Sequence, residues 1–333
     1  MSIEDVARRA RVSPATVSRV VNNVHVVKST TRMRVLKAIE ELKYSPNVHA
    51  QALAGAASRT LGLIVSNLEN PFFLDIFRVL EQEAHKHGYE VLVANTDYDS
   101  QWLNSSVFTM LGRRVAGIAL VVSEIDPALL RRLEERKIRT VVYDVGEPRK
   151  GILSIKANYK QGIERVTEYL RSLGHRKFAF IGHHTSLGPL GDRKRTFVEV
   201  MERYSPAFQF TTVADSDDYA GGRRAVQQLF SSRFRPTAIL CINDFMAVGA
   251  LRQLRDKGID VPGQVSVTGF DNISLSGIVY PALTTLHIPR DQIGRRIFAS
   301  LTSKEPLPRT QQEVIITPEL VVRESTGRAP GSS

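Results

Sequence analysis

Carboxylates, amides and an arginine recur at matching places along the middle of this chain. Asn67-Leu68-Glu69-Asn70-Pro71-Phe72-Phe73 follows one short apolar run, Asp97 follows the next, and Asp144 follows another. Asn158 precedes a helical pattern, Arg193 opens one after Gly182–Gly191, Asn243-Asp244 ends the run holding Cys241, and Asp271-Asn272 ends Ser266–Phe270. Asp and Asn side chains accept from and donate to hydroxyls, an arginine clamps an oxygen, and a ring such as Phe72 covers the apolar face of a sugar or a base. An isolated Asp or Asn at such a place reads as a helix cap. Recurrence at successive strand ends is what points to a binding cleft.

The elements that must hold these residues alternate. Thr60–Ser66, Glu90–Thr96, Ala116–Val122 and Thr140–Val145 are short runs rich in Val, Ile and Leu, with helical patterns at about 72–87, 101–113 and 127–137. The order repeats with strands near 177–182, 210–214, 238–243 and 265–270 and helices near 159–173, 192–203, 219–231 and 245–257. This alternation predicts parallel sheets covered by helices on both faces, in two Rossmann-like lobes. Ligands of such sheets lie outside the carboxyl ends of the strands.

The N-terminus carries a different chemistry. Ser2 with Asp5 forms a capping-box pair ahead of Ile3, Val6, Ala7 and Ala10, which share one face. Ser13 is an N-cap residue and Pro14 stands at the first helical position, where a missing N–H costs nothing. Val17, Val20 and Val21 form the buried stripe of this second helix, leaving Pro14, Ala15, Thr16, Ser18, Arg19 and Asn22 facing outward. Two short helices and a tight turn have the layout of a DNA-reading helix-turn-helix, and equally that of a surface hairpin. Ser29-Thr30-Thr31 precedes a third helix over Arg32–Lys43, with Val35, Ile39 and Leu42 on one face. Pro46 stops it, and Asn47–Ala54, ended by Gly55, is a helix too short to be stable alone.

Val6-Ala7, Val12-Ser13, Thr16-Val17-Ser18-Arg19-Val20-Val21-Asn22, Tyr44-Ser45-Pro46-Asn47, Ala50 and Leu53-Ala54 occur in an order that resembles the LacI/GalR family of bacterial transcription regulators. The resemblance runs to about residue 325. It implies a helix-turn-helix headpiece (1–45), a hinge helix and linker (46–58), and an effector-binding and dimerisation core (59–330) with the fold of periplasmic sugar-binding proteins. The lobes would be discontinuous, about 59–158 with 289–317 and about 159–288 with 318–330. By the same resemblance, Ser13, Pro14, Ala15, Thr16, Ser18, Arg19 and Asn22 meet DNA in the major groove. Asn47, His49, Ala50 and Leu53 meet it at the hinge, with Leu53 a wedge in the minor groove. Phe72, Asp144, Arg193, Asn243 and Asp271 fall on effector positions, with Asp97, Asn158 and Asp244 beside them. The expected partners are a near-palindromic duplex operator, a small effector and a second copy of the chain packed partly through helix 72–87.

Two departures stand out. The family's Arg-x-x-Gly-Phe is here Arg193-Lys194-Arg195-Thr196-Phe197. Where sugar-binding members place an aromatic ahead of Gly221-Gly222, this chain has Asp217, with Tyr219 nearby. An acid there points away from a stacked sugar and toward an amine-bearing or otherwise polar ligand.

Composition agrees. The chain has 333 residues and a net charge of +11, of which residues 1–59 supply +6. A basic, compact N-terminal unit suits a phosphate backbone. Cys241 is the single cysteine, so no disulfide framework exists. With no long apolar run and acids at positions 4 and 5, a cytoplasmic protein without membrane contact is expected. Enzyme readings find no support. His183-His184 has no companion ligands, Asp215, Asp217 and Asp218 lack the rest of a calcium loop, and Gly182–Gly191 lacks the Lys-Ser/Thr of a P-loop. No cofactor or metal is expected. The leading function is a repressor controlled by a small sugar-like or nucleoside-like effector. The alternatives are a regulator controlled by a partner protein, and a solute-binding protein.

Overall fold

The structure is a computed structural model that describes residues 1–21, 26–44, 58–123, 125–146, 149, 151–184, 188–303, 305 and 312–331. The chain forms two compact units, Met1–Ser58 and Arg59–Ser333.

The first unit holds α1 (Ile3–Ala10), α2 (Pro14–Val21) and α3 (Ser29–Glu41). Ser2 caps α1, and the Ser2 and Asp5 side chains each accept from the other's backbone N–H, as the capping box requires. The Ser13 hydroxyl accepts from Thr16 N at 3.3 Å and starts α2. Val6, Ala7, Ala10, Val17, Val20, Val35 and Ala38 form the core. Helix α3 begins at Ser29, three residues before the expected start, and its Lys28 cap makes no side-chain hydrogen bond. Ala38 joins Val35 in its buried stripe, while Ile39 and Leu42 are only partly covered. Arg9 binds Glu41 at 2.8 Å, tying α1 to α3. The expected helix at 47–54 lies outside the described residues, as do Asn22, Asn47, His49, Ala50 and Leu53.

The second unit contains two six-stranded sheets. In chain order its elements are β1 (Thr60–Val65), α4 (Pro71–Lys86), β2 (Glu90–Asn95), α5 (Ser100–Gly112), β3 (Gly117–Val121), α6 (Pro127–Glu135), β4 (Arg139–Tyr143) and β5 (Ile152–Ala157). These are followed by α7 (Tyr159–Ser172), β6 (Lys177–His183), α8 (Gly188–Arg203), β7 (Gln209–Asp215), α9 (Tyr219–Ser231), β8 (Ala238–Cys241), α10 (Asp244–Asp256), β9 (Ser266–Asp271), a 3₁₀ turn (Ser274–Gly277) and β10 (Thr284–His287). Helix α11 (Arg290–Thr302), β11 (Glu313–Ile316) and β12 (Glu319–Val321) complete it.

The strand orders are β11-β5-β4-β3-β1-β2 and β12-β10-β9-β8-β6-β7. Every pairing is parallel except β10 with β12. Central strands β3 and β9 are buried along their whole length, as strands covered on both faces must be, whereas the edge strand β2 is largely open. The chain passes between sheets between β5 and α7, between β10 and α11, and between β11 and β12. Strand β5 is not among the runs read from the sequence, because Ser154 and Lys156 interrupt its apolar character. Helix α8 starts at Gly188, not 192, since its first turn is Gly-Pro-Leu-Gly, a composition that reads as a turn.

Candidate functional site

In the second unit the carboxyl ends of both sheets face one cleft. Its outer chamber, about 670 Å³, is lined by Tyr98, Ser123, Asp144, Lys156, Tyr159, Gly188 and Asp192 among others. That volume suits a small ligand. An inner chamber of about 30 Å³ is lined by Asn70, Phe72, Tyr98, Tyr143, Asp144, Tyr159, Arg193, Asp217, Asn243 and Asp271 among others. It has room for one or two waters.

Arg193, in the first turns of α8, is the centre of the inner chamber. Its guanidinium lies against both the Tyr159 ring (4.4 Å) and the Phe270 ring (4.5 Å), whose centroids are 5.4 Å apart, and donates to Ile242 O at 2.8 Å and Tyr159 Oη at 3.0 Å. Asp271 Oδ1 is 4.0 Å from an Arg193 terminal nitrogen, too far to hydrogen bond. Burial disfavours the Arg193 charge, but Tyr159 and Asp271 outweigh it and hold the guanidinium protonated. Burial also pushes the Asp271 carboxyl well above its ordinary value, against the pull of Arg193.

Asp144 Oδ1 accepts from Ala157 N at 2.6 Å, and Oδ2 accepts from the Tyr159 hydroxyl. Burial pushes its carboxyl up to about 6, with the Tyr159 hydrogen bond opposing. Asn243 caps α10 through Met246 N at 2.9 Å, and its amide donates to Asp217. Phe72 packs edge-on against Phe73 and tilts against Tyr143, forming an aromatic wall. Asp97, Tyr98, Asp144, Asp271 and Asn272 all have φ between +48° and +105°. Positive φ in non-glycine residues thus recurs at the strand ends near the cleft, while Arg11, Lys43, Arg114 and Lys137 carry it just after helix ends.

Phe72, Asp144, Arg193, Asn243 and Asp271 therefore meet in one place. Three other expected residues do not join them. Asp97 is exposed, and its neighbour Tyr98 enters the cleft instead. The Asn158 side chain is used as the α7 cap, accepting from Gln161 N at 3.1 Å, and the next residue, Tyr159, lines the chamber. Asp244 is fully buried, with its oxygens taken by Thr285 Oγ1 at 2.5 Å and Ile273 N at 2.8 Å, so it braces the β9 and β10 loops. In each case a residue that looked like a ligand contact satisfies the backbone or faces outward. The sequence reading does not single out Tyr98, Tyr143 or Tyr159, although each adjoins a residue that it does. Their signal is a ring with a polar tip at a strand or helix end.

The sequence reads Asp217 as an acid in place of an aromatic, pointing to a polar ligand, but does not show its partners. Asp217 is 4% exposed, and its carboxylate accepts from Asn243, from Tyr98 and, at 3.4 Å, from Asn70. Its carbonyl accepts from Asn67 Nδ2 at 3.1 Å. Asn67, Asn70 and Tyr98 belong to the lobe of β1 and β2, so Asp217 bridges the cleft. Gly188 closes it on another side: a Cβ there would lie 2.0 Å from the carbonyl oxygen of Ser123.

Residues 2–47 match the model of bacterial regulatory proteins of the lacI family, and residues 167–326 match the periplasmic binding protein-like domain. The HTH-type transcriptional repressor PurR of Serratia proteamaculans (strain 568) is 32% identical over 333 residues, covering 99% of this chain and 98% of that protein. The chain belongs to the lacI family of bacterial regulatory proteins. It is a helix-turn-helix transcriptional regulator with a periplasmic-binding-protein-like core. The PurR repressor of Escherichia coli O1:K1 / APEC is 33% identical over the same coverage. Among solved structures, a lac repressor dimer bound to operator and the anti-inducer ONPF superposes with a TM-score of 0.85 at 27% identity, covering 98% of this chain and 99% of that one.

In this lacI-family chain the first unit leaves Ser13, Pro14, Ala15 and Arg19 exposed and Thr16 and Ser18 half-buried on α2. Among the described residues no helix is long and apolar enough to cross a membrane, and no cluster of three His, Cys, Asp or Glu residues could hold a metal.

Proposed function

We propose that this chain is a cytoplasmic, sequence-specific repressor that binds a near-palindromic operator as a homodimer and is controlled by a small polar effector in the cleft of its core. The observation that carries the proposal is the pairing of two features in one chain. Helix α2 presents an exposed row over a complete small core, and the core unit presents a cleft whose inner wall holds buried polar atoms without partners. Among the described residues, Tyr143 Oη, Arg193 Nε and Asp271 Oδ1 have no hydrogen-bond partner. Unpaired buried polar groups are costly, and a ligand that pairs them recovers that cost.

The division into a 1–45 headpiece, a 46–58 hinge and a 59–330 core is part of this reading. Helix α2 enters the major groove. Pro14 and Ala15 lack hydrogen-bonding side chains and make apolar contacts, for example with a thymine methyl, while Arg19, Ser13 and Thr16 reach base edges or phosphates. One such helix reads few base pairs, so two subunits are needed. Leu53 from each subunit wedges into the central base step, where a flexible C-G step lowers the few kcal/mol of unstacking. Changing the separation of the lobes of β1 alters whether both hinge segments fit the groove, which couples effector to operator.

The test is selection of bound sequences from random duplexes, followed by gel shift with and without candidate sugars, sugar acids and nucleosides. A palindromic consensus whose affinity changes with a ligand that also raises the melting temperature supports the proposal. Such a ligand at a hundredfold excess over Kd stabilises by about 2.7 kcal/mol. Binding without sequence preference would refute it.

A further inference from the structure

The reading of the cleft as an effector site leaves the chemistry of the effector open, and the charges lining the inner chamber narrow it. Three carboxylates, Asp144, Asp217 and Asp271, line this chamber with one guanidinium, Arg193. The Asp217 carboxylate accepts from neutral groups, the amides of Asn243 and Asn70 and the hydroxyl of Tyr98. Asp144 likewise accepts from a backbone N–H and a tyrosine hydroxyl. Oδ1 of Asp271 has no hydrogen-bond partner among the described residues and faces Arg193 at 4.0 Å. The nearby Arg290 does not redress the balance, because it pairs with Asp75 at 3.0 Å and donates to the main-chain oxygens of Asp271 and Asn272. Lys156, in the outer chamber, pairs with Glu313 at 2.9 Å. The inner chamber is thus formally negative by two charges, in a place where buried charge is stable only when paired.

We propose that the effector is a small polyhydroxylated amine whose ammonium group lies on the carboxylate of Asp271 within this acidic chamber, with Asp217 supplying further negative charge and ligand oxygens accepting from Arg193 Nε. The unpartnered atoms set this pattern. Asp271 Oδ1 needs a donor, Arg193 Nε needs an acceptor, and Tyr143 Oη can serve either role. An ammonium beside hydroxyls meets all three and offsets part of the charge. The inner chamber is too small for such a molecule in this closed arrangement, so it binds by displacing the contacts that Tyr98 and Asn70 make with Asp217 across the cleft. The elevated Asp144 and Asp271 carboxyls agree with acids that lack a full complement of cations.

The test uses the full-length protein at pH 7.5 and matched sets of probes: glucosamine, galactosamine, mannosamine and 1-amino-1-deoxysorbitol, each with its hydroxyl parent and its N-acetyl derivative. Binding is followed by thermal shift and calorimetry. The expected result is at least one amine that binds about tenfold or more tightly than both of its neutral counterparts, a difference one charge interaction supplies. A neutral polyol that binds as well as its amine, or the absence of binding by every amine, overturns the proposal. Neutral compounds that bind and change operator affinity would leave the regulator reading intact, whereas loss of sequence-specific operator binding would refute that reading instead.

Asp217→Asn gives a second, panel-independent readout. Asparagine can accept from Asn243 and donate to the Tyr98 oxygen, giving up only the long 3.4 Å contact from Asn70, so the ligand-free variant should melt near the wild-type temperature while losing the preference for amines. A melting temperature lowered by about 4 °C or more shows that folding requires the charge, and overturns the proposal.

Discussion

The hydroxyl of Tyr98 donates to the carboxylate of Asp217, joining the loop after β2 in one lobe to the loop after β7 in the other. Together with the Asn67 and Asn70 amides on the same residue, it holds the cleft closed by the protein's own side chains. Tyr98→Phe keeps the ring and removes the bridge. Loss of a donor to a buried carboxylate is expected to cost the core about 1–3 kcal/mol in urea unfolding. An unchanged midpoint would mean that the lobes are not bridged here in solution.

Gly188 offers a steric test of the same closure. It has φ +54°, and a methyl group there would overlap the Ser123 carbonyl oxygen across the cleft. Gly151 has φ +79° with nothing within 4 Å of the built Cβ. Both Gly→Ala variants bear the backbone penalty of about 1–2 kcal/mol for a left-handed residue. Gly188→Ala should additionally hold the lobes apart, visible as a larger radius of gyration in small-angle scattering. Equal scattering from the two variants would rule out the contact.

Arg193 combines charge with shape. Arg193→Met leaves Asp271 buried without its ion pair, which typically costs about 3–5 kcal/mol. Arg193→Lys should rescue little of this. Lysine has no planar fork to lie flat against Tyr159 and Phe270 while donating to both Ile242 O and Tyr159 Oη. The comparison is read in denaturant midpoints, and full rescue by lysine would argue that charge alone matters.

Asp244 predicts a pH dependence. Burial, opposed by its hydrogen bond with Thr285, pushes its carboxyl up to about 6, above the ordinary value near 3.9 in the unfolded chain. The folded state therefore binds this proton more tightly. Its contribution is fully present below about pH 4 and is lost as pH rises through 6, by roughly 3 kcal/mol in all. The stability difference, wild type minus Asp244→Asn, should be larger at pH 4.5 than at pH 7.5. Taking the difference cancels His183, whose pKa burial lowers to about 4 and whose pH effect has the opposite sign. A difference independent of pH would show that Asp244 stays ionised throughout.

Arg19 is the exposed cation on α2. Arg19→Ala should weaken operator binding by about 1–3 kcal/mol and relax specificity at one base pair if the contact is bidentate to guanine. A uniform loss across sequences with a smaller salt slope would instead assign Arg19 to the phosphate backbone.

Much of this molecule is written in local sequence. The capping pair Ser2 and Asp5, the Pro14 helix start and the buried Val17 and Val20 of α2 depend on neighbours three or four positions away, so they read directly from the chain, whereas Val21 is only partly covered. The alternation of apolar runs with amphipathic segments specifies two parallel sheets for the same reason, since strands buried on both faces must be apolar throughout. What escaped this reading depends on contacts between residues far apart. An aspartate at a strand end looks the same whether it caps a helix, braces a loop or faces a ligand. Only the packing sends Asp244 to Thr285 and Ile273, turns Asp97 outward and leaves Asp271 Oδ1 without a hydrogen bond among the described residues beside Arg193. Asp217 is the clearest case. Its role comes from Asn67, Asn70 and Tyr98, more than a hundred positions away in sequence, which the second sheet brings across the cleft. Periodicity reports which face of an element is buried, whereas the partner of a buried polar group is set by how two lobes meet.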